Sequence, residues 1–455
     1  MTDKRHHHHS RRAEFSSKFG VIMAAAGSAV GLGNIWKFPY ITGVYGGAAF
    51  LFVYLAFIAA IGVPVMLSEF IIGRGARRNP FGAFRKLAPN SLWPFAGMMG
   101  IGAAFMILSY YGVVAGWSLE YIVRSLTDGF SGKSADELAA DFTTFVESPV
   151  EPVIYQLLFM FMTGLIVFAG VKNGIEKGSK IMMPLLIFIV IILGIRSITL
   201  PGAGDGLKFF FKPDFSRLTW EGVLAALGHA FFSLSLGMGT LITYGSYISA
   251  DTSLPRSAVQ VSGLDTLISI LAGLVIFPAV FAYGIEPGSG PGLVFITLPN
   301  VFVQMPGGYV FAILFFVLLT LAALTSAISI LEVVVVYFHE ELKIRRKVAT
   351  VLATVVTGLL GVICSLSMGI NKGQTFFGLN FFDLMDWISA YLLLPLGGLL
   401  ITLFVGWRLG RRLVHAEISK GGHLSPAMLT VFMALIKIIA PIAIAIVFFK
   451  GINLL

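Results

Sequence analysis

Long apolar runs alternate with short polar connections along almost the whole chain. Eleven runs reach the roughly 20 residues a helix needs to cross a hydrocarbon core. They centre near residues 31, 60, 110, 160, 186, 234, 272, 322, 357, 392 and 438. A transmembrane barrel is excluded, because its strands read as segments of roughly ten residues with period two. Two runs depart from the pattern. GSAVGLGN at residues 27–34 and SLSLGMG at residues 233–239 place glycines and polar side chains mid-run. Backbone groups freed there cost several kcal/mol each unless protein or ligand satisfies them. Broken helices at corresponding positions of two halves point to the site of a secondary transporter.

Composition turns the pattern into a class. The 455 residues are 57% hydrophobic and 12% charged, against about 25% charged in soluble domains. The chain is therefore an all-α integral membrane protein without a sizeable soluble domain. The net charge of +9 is not a nucleic-acid footprint. Most of the 32 Lys and Arg residues fall in the N-terminal tail and in alternate loops, as at Arg77, Arg78, Lys177, Arg345 and Arg411. That asymmetry predicts a cytoplasmic N-terminus and, with eleven spans, a C-terminus outside. No cleavable signal peptide is expected, since the first run carries polar residues and a break. Cys364 is the only cysteine, so no internal disulfide can form. The four histidines at 6–9 read as a tag or a native tract, in a disordered tail or a metal-binding one.

The breaks also organise the chain. Residues 1–18 form a cytoplasmic tail, 19–198 a first five-helix repeat, 199–219 an outer loop and 220–404 a second five-helix repeat. Residues 405–455 hold an inner loop and the eleventh helix. Each repeat opens with a broken helix, over about 19–42 and 220–248. Five is odd, so the second repeat enters the membrane inverted. The other long outer loops are 127–151, which is acidic, and 284–308, where TLPNVF is a candidate short helix over the pathway.

Physically, a break makes two half-helices. Their N-terminal ends suit a carboxylate, and their C-terminal ends and freed carbonyls suit a cation or amine. A zwitterionic α-amino acid fits both, and hard oxygen ligands suit an alkali cation. Small-xxx-small packing is a competing reading of Gly27 and Gly31. It leaves Asn34 at mid-depth, Ser233, Ser235 and the second break unexplained.

The stretch AAAGSAVGLGNIWKFPY at residues 24–40 resembles the first helix of the neurotransmitter:sodium symporter family, above all its bacterial amino-acid transporters. FFSLSLGMGTLITYGSY at 231–247 resembles the family's sixth helix, and LAALTSAISI at 321–330 its eighth. The similarity runs over nearly all the chain. It implies 11 transmembrane helices, with a 5+5 inverted repeat of the leucine-transporter type and helices 1 and 6 broken. The family's twelfth helix is missing, as in several prokaryotic members. A multi-pass protein of the bacterial cytoplasmic membrane is implied.

By the same resemblance, a first sodium ion is held by the Ala29 carbonyl, Asn34, Ser233 and Asp265, together with the substrate carboxylate. A second is held by the carbonyls of Gly27, Val30 and Ala322 and the hydroxyls of Thr325 and Ser326. Back-bonding to a helix carbonyl is the alternative use of those two hydroxyls. The substrate pocket is Ser28, Ala29, Leu32, Gly33, Ile107, Tyr111, Phe232, Ser233, Ser235, Met238, Ser326 and Ile330. Gly31 stands where monoamine transporters carry Asp, so the substrate must bring its own carboxylate. The apolar end of the pocket, with adaptable Met238, favours bulky hydrophobic side chains.

Asp265 replaces the family's usual Asn. A mid-membrane carboxylate is a functional residue by default. It can supply the negative charge that bound chloride gives in relatives, so no chloride requirement is expected. Ser269 stands where some chloride-independent relatives carry Glu. Asp265 can also take up a proton when sodium leaves. For gates, Lys37 is expected to face Asp386 outside, an interfacial ion pair being an equal reading. Arg12 is expected to face Glu340 inside, with Phe15 as a plug and Tyr247 and Glu332 nearby. Glu69 is expected to brace the breaks as a hydrogen-bond acceptor.

The expected function is sodium-coupled symport of aromatic and aliphatic L-amino acids by alternating access, with two sodium ions. A sodium-dependent sensor of the same fold and an ion channel are the alternatives. No nucleophile–base constellation or metal motif supports an enzyme.

Overall fold

A computed structural model describes residues 13–284, 292–421 and 425–452. The described residues are almost wholly helical. Nine helices are long and apolar enough to cross a membrane, and a bent pair makes a tenth. That pair is α1 (Lys18–Ala29) and α2 (Gly33–Val44), which meet at 54°. The long helices that follow are α3 (Ala48–Ala76), α4 (Pro94–Leu126), α5 (Glu151–Phe168) and α6 (Val171–Ile198). Next come α7 (Trp220–Ser233) and α8 (Thr240–Gly245), neither long enough to span alone. After them run α9 (Leu254–Ala282), α10 (Leu293–Gln304), α11 (Gly308–Glu340), α12 (Arg346–Leu366), α13 (Phe381–Ser419) and α14 (Pro426–Gly451).

The sixth apolar run is where count and expectation part. Its break consumes residues 234–239, leaving helical pieces of 14 and 6 residues. The backbone explains why the chain cannot stay helical there. Ser235, Gly237 and Gly239 all have positive φ, at 54°, 80° and 77°, a region that only glycine enters without steric cost. A Cβ on Gly237 would stand 2.5 Å from the Leu394 carbonyl. The break is thus pressed against the backbone of α13.

Burial separates the centre from the periphery. The apolar windows of α4 and α11 are 72% buried, whereas that of α14 is 33% buried. The two long central helices pack along each other, and α1 packs on α6, α9 and α11. Both breaks therefore sit in a fully enclosed layer. Two of the longer connections carry helices of their own. Ala135–Glu147 starts in a reciprocal capping box between Ser134 and Glu137, and Ala203–Phe211 follows Gly202. The expected short helix at TLPNVF lies within α10.

Candidate substrate and ion site

A cavity opens where the two breaks face α4 and α11. It is lined by Ala29, Leu32 and Gly33, by Ile107 and Tyr111, and by Phe232, Ser233, Ser235 and Met238, with Ser326 and Ile330 closing it. Gly31 also lines it. The space is at most about 300 Å³, the bottom of the range for small-molecule sites, so it suits one small ligand and not a peptide. Ser28 stands behind the wall and offers its carbonyl, which accepts from the Ser235 and Ser326 hydroxyls at 2.8 and 3.2 Å. Its own hydroxyl is buried without a partner among the described residues.

One end of the cavity is polar. The Leu32 amide donates to the Tyr111 hydroxyl at 3.1 Å, and the same hydroxyl hydrogen-bonds Ser326. A side chain on Gly31 would meet that hydroxyl at 2.8 Å and Ser326 Cβ at 3.1 Å. The opposite end, formed by Ile107, Phe232, Met238 and Ile330, is apolar.

Beside the cavity the structure gathers Asn34, Ser233 and Asp265, all fully or almost fully buried. Asn34 Nδ2 donates to Asp265 Oδ1 at 2.7 Å and lies 3.1 Å from Ser233 Oγ. Ser233 Oγ donates to Asp265 Oδ2 at 2.8 Å. The neutral Asn34 amide thus meets the carboxylate as a hydrogen-bond donor, and Asn34 Oδ1 accepts from the Gly31 amide at 3.0 Å. Two further residues complete the cluster. Ser269 Oγ is 2.8 Å from Asn34 Nδ2, and Tyr54 approaches Ser233 and Asp265 at 3.3 and 3.4 Å. Tyr54 escaped sequence reasoning because a tyrosine in an apolar run reads as packing. The signal was its hydroxyl, which needs a partner in a membrane interior.

On the other side of α1, Gly27 faces Thr325, whose Cβ would lie 3.2 Å from an added methyl. The Thr325 hydroxyl reaches the carbonyls of Leu321 and Ala322 at 3.1 and 3.0 Å and that of Val30 at 3.5 Å. The back-bonding use of this hydroxyl is present, and the same oxygen bridges to the freed end of α1. Gly27, Val30, Ala322, Thr325 and Ser326 therefore lie along one seam between α1 and α11.

The second break is braced from α3. Glu69 is fully buried and Oε1 accepts from the Gly237 amide at 2.8 Å. Aromatic rings and an ion pair meet at the end of the bundle nearest residue 13. Phe15 is 6% exposed and meets the rings of Tyr244 and Tyr247 edge-on at 5.6 and 5.8 Å. Tyr247 donates to Glu332 at 2.6 Å, and Arg346 grips Glu332 through two nitrogens at 2.9 and 2.7 Å. Glu340 accepts from the amide and side chain of Asn79. Arg12 and the histidines at 6–9 lie outside the described residues. Arg346 was not singled out from sequence, since one more arginine after a span reads as part of the positive-inside bias. Glu176 was missed in the same way. Its carboxylate accepts from the Ser16 amide and hydroxyl at 2.8 and 2.6 Å and pairs with Lys180.

At the opposite end, Lys37 and Asp386 stand apart, with no ion pair between them. The Lys37 ammonium lies 4.7 Å from the centroid of Phe232 instead.

Residues 12–141 and 138–454 match the model of the sodium:neurotransmitter symporter family. The chain belongs to this family. It is a multi-pass membrane protein of a sodium-dependent transporter family, not an enzyme. An uncharacterized sodium-dependent transporter of Bacillus subtilis, YhdH, is 41% identical over 97% of this chain and 98% of its own. The crystal structure of MhsT in complex with L-phenylalanine superposes with a TM-score of 0.90 at 49% identity, covering 97% of this chain and 100% of that one. The sodium- and chloride-dependent GABA transporter ine of Drosophila melanogaster is 26% identical, over 86% of this chain and 46% of its own.

Proposed function

We propose that the chain carries hydrophobic L-amino acids into the cell together with two sodium ions, by alternating access around the cavity between the breaks. The observation that carries the reading is the cavity's polarity. A hydroxyl and freed backbone lie at one end, four apolar side chains at the other, and the Asn34–Ser233–Asp265 cluster beside it. The similarity to MhsT, whose structure holds L-phenylalanine, supports the same substrate class. In this reading Trp220–Ser233 and Thr240–Gly245 are two halves of one crossing. They complete eleven spans in two inverted five-helix repeats, with the N-terminus inside and the C-terminus outside.

The first sodium ion lies among the Ala29 carbonyl, Asn34, Ser233 and Asp265, next to the substrate carboxylate that Tyr111 holds. The second lies in the seam of Gly27, Val30, Ala322, Thr325 and Ser326. Sodium at the first site displaces the Asn34 amide nitrogen as the partner of Asp265, so the amide turns its oxygen to the ion. Asp265 supplies fixed negative charge, and uptake proceeds without chloride, unlike the Drosophila relative named for both ions. When sodium leaves, Asp265 takes a proton back across the membrane. Phe15, Tyr247, Arg12 and Glu340 form the inner gate, and Lys37 and Asp386 the outer one. The test is phenylalanine binding to purified protein in sodium and in potassium. Saturable, sodium-requiring binding is expected, and equal binding in both salts would sink the reading.

A further inference from the structure

The outermost helix carries a cation in an unusual place. Lys437 lies eleven residues into α14, about 16 Å from the start of the helix at about 1.5 Å per residue. It is half-buried, at the border between a buried face that includes Met433, Ile436 and Ala440 and an exposed face on which Val431 is 59% and Ile438 57% accessible. A lysine in an apolar span is costly, and its amine must snorkel toward the headgroups or find a partner. The partner here is Trp407 of α13. The Lys437 ammonium lies 5.1 Å from the Trp407 ring centroid, and the indole N–H donates to the Lys437 carbonyl at 3.4 Å. Trp407 is itself 66% exposed. Both helices are wound with i→i+5 bonds here, at Phe404–Leu409 and Leu435–Ile439, a distortion that often marks functional positions.

The next residues of α13 add Arg408, Arg411 and Arg412 to the same end of the helix pair. Arg411 donates to Thr430 Oγ1 of α14 at 3.0 Å. None of these three arginines, nor Lys437, forms an ion pair with a described carboxylate within 4 Å. The nearby Glu417 is taken by Arg74 and Lys420. Lys437 and Arg411 therefore stand at the seam between the two helices, with Arg408 and Arg412 adjacent in the chain, and none of the four has a counter-charge among the described residues.

We infer that the seam between α13 and α14 is a binding site for an anionic phospholipid. Its phosphate would sit between Lys437 and Arg411, and an acyl chain would lie along the exposed face of α14. Charge complementarity selects an anionic headgroup, and the apolar exposed wall selects a ligand with chains over a soluble anion. Trp407 sits in the site and reports on it.

The experiment uses the full chain reconstituted in bilayers of phosphatidylcholine with an equal fraction of either brominated phosphatidylglycerol or brominated phosphatidylcholine. Quenching by bromine is read as the difference between the wild type and Trp407→Phe, which isolates the Trp407 signal. At least twofold stronger quenching of Trp407 by the brominated anionic lipid is expected. Lys437→Gln and Arg411→Gln, separately, should bring the ratio toward one while sodium-dependent phenylalanine binding persists as the check on folding. Addition of 50 mM inorganic phosphate should leave the ratio unchanged. Equal quenching by the two lipids in the wild type would overturn the inference. So would displacement by phosphate, which would make the site one for a free anion.

Discussion

Replacing Asp265 with asparagine removes a negative charge from a buried cluster while keeping its shape nearly constant. The carboxylate is fully enclosed, 2.7 Å from Asn34 Nδ2 and 2.8 Å from Ser233 Oγ. A cation about 4 Å from such a charge gains about 4 kcal/mol at an effective dielectric constant of about 20. At about 1.4 kcal/mol per tenfold, losing all of it would weaken sodium binding by about 10³-fold. Two effects pull the number down. The amide keeps one acceptor oxygen, and the cost of burying the carboxylate disappears with it. A third acts in the same direction, because in the sodium-free cluster the new NH₂ must face another donor, at about 1–3 kcal/mol for an unpaired buried group. The expected net result is a rise of about 10- to 100-fold in the sodium concentration for half-maximal phenylalanine binding, by those same magnitudes. The assay is a sodium titration of labelled phenylalanine binding in chloride-free gluconate buffer, repeated with chloride. Chloride should recover part of the loss in Asp265→Asn and do nothing to the wild type. An unchanged sodium midpoint in gluconate would refute the reasoning.

Other expected outcomes concern packing and the ends of the bundle. Gly31→Ala drives a methyl to 2.8 Å from the Tyr111 hydroxyl; overpacking of about 1–3 kcal/mol should weaken amino-acid binding about 5- to 150-fold by calorimetry, and wild-type affinity would show that Tyr111 is not part of the wall. Glu176→Gln removes the charge that pairs with Lys180 at 2.6 Å, so amide exchange over residues 13–20 should quicken several-fold. Unchanged exchange would mean that the carboxylate does not hold the N-terminal segment. In the connection between α4 and α5, bonds from Ser134 hold the exposed Glu137 carboxyl below its usual range. That stabilisation is full above the unfolded value of about 4.3 and is lost as pH falls through the lower folded value. Exchange over 135–147, corrected for intrinsic rates, should rise in that acid window and do so less in Ser134→Ala; the same acid response in both proteins would contradict the capping account.

Much of the site was legible because a membrane interior punishes irregular backbone. Glycines with Asn34, Ser233 and Ser235 in mid-run mark positions where the chain gives up helical bonds, and the cavity lies between those two marks. Asp265 announces itself by the cost of a carboxylate at that depth. Legibility failed where one residue serves two purposes. Tyr54 looks like an ordinary packing residue, and only the fold brings it onto the Asp265 carboxylate, whereas Ser269 was already marked by its place beside Asp265 and is found 2.8 Å from Asn34. Arg346 and Glu176 are charges at span ends whose partners are remote in sequence or lie in the N-terminal segment. The capping box at Ser134 was readable as Ser-x-x-Glu, yet the acidic composition of the stretch suggested a plain loop. The span count differs for a related reason. A break long enough to build a site leaves two pieces too short to register as a crossing.

The most direct test is uptake of labelled phenylalanine into sealed liposomes, with an inward sodium gradient and an inside-negative potential imposed independently. Two sodium ions moving inward at 100 mV gain about 4.6 kcal/mol, from about 2.3 kcal/mol per charge, before any concentration gradient is counted. Coupled transport predicts accumulation well above equilibrium only when the sodium gradient is present, with the potential adding to it and chloride replacement without effect. Equilibration of phenylalanine regardless of sodium, or sodium-dependent binding with no accumulation, would contradict it.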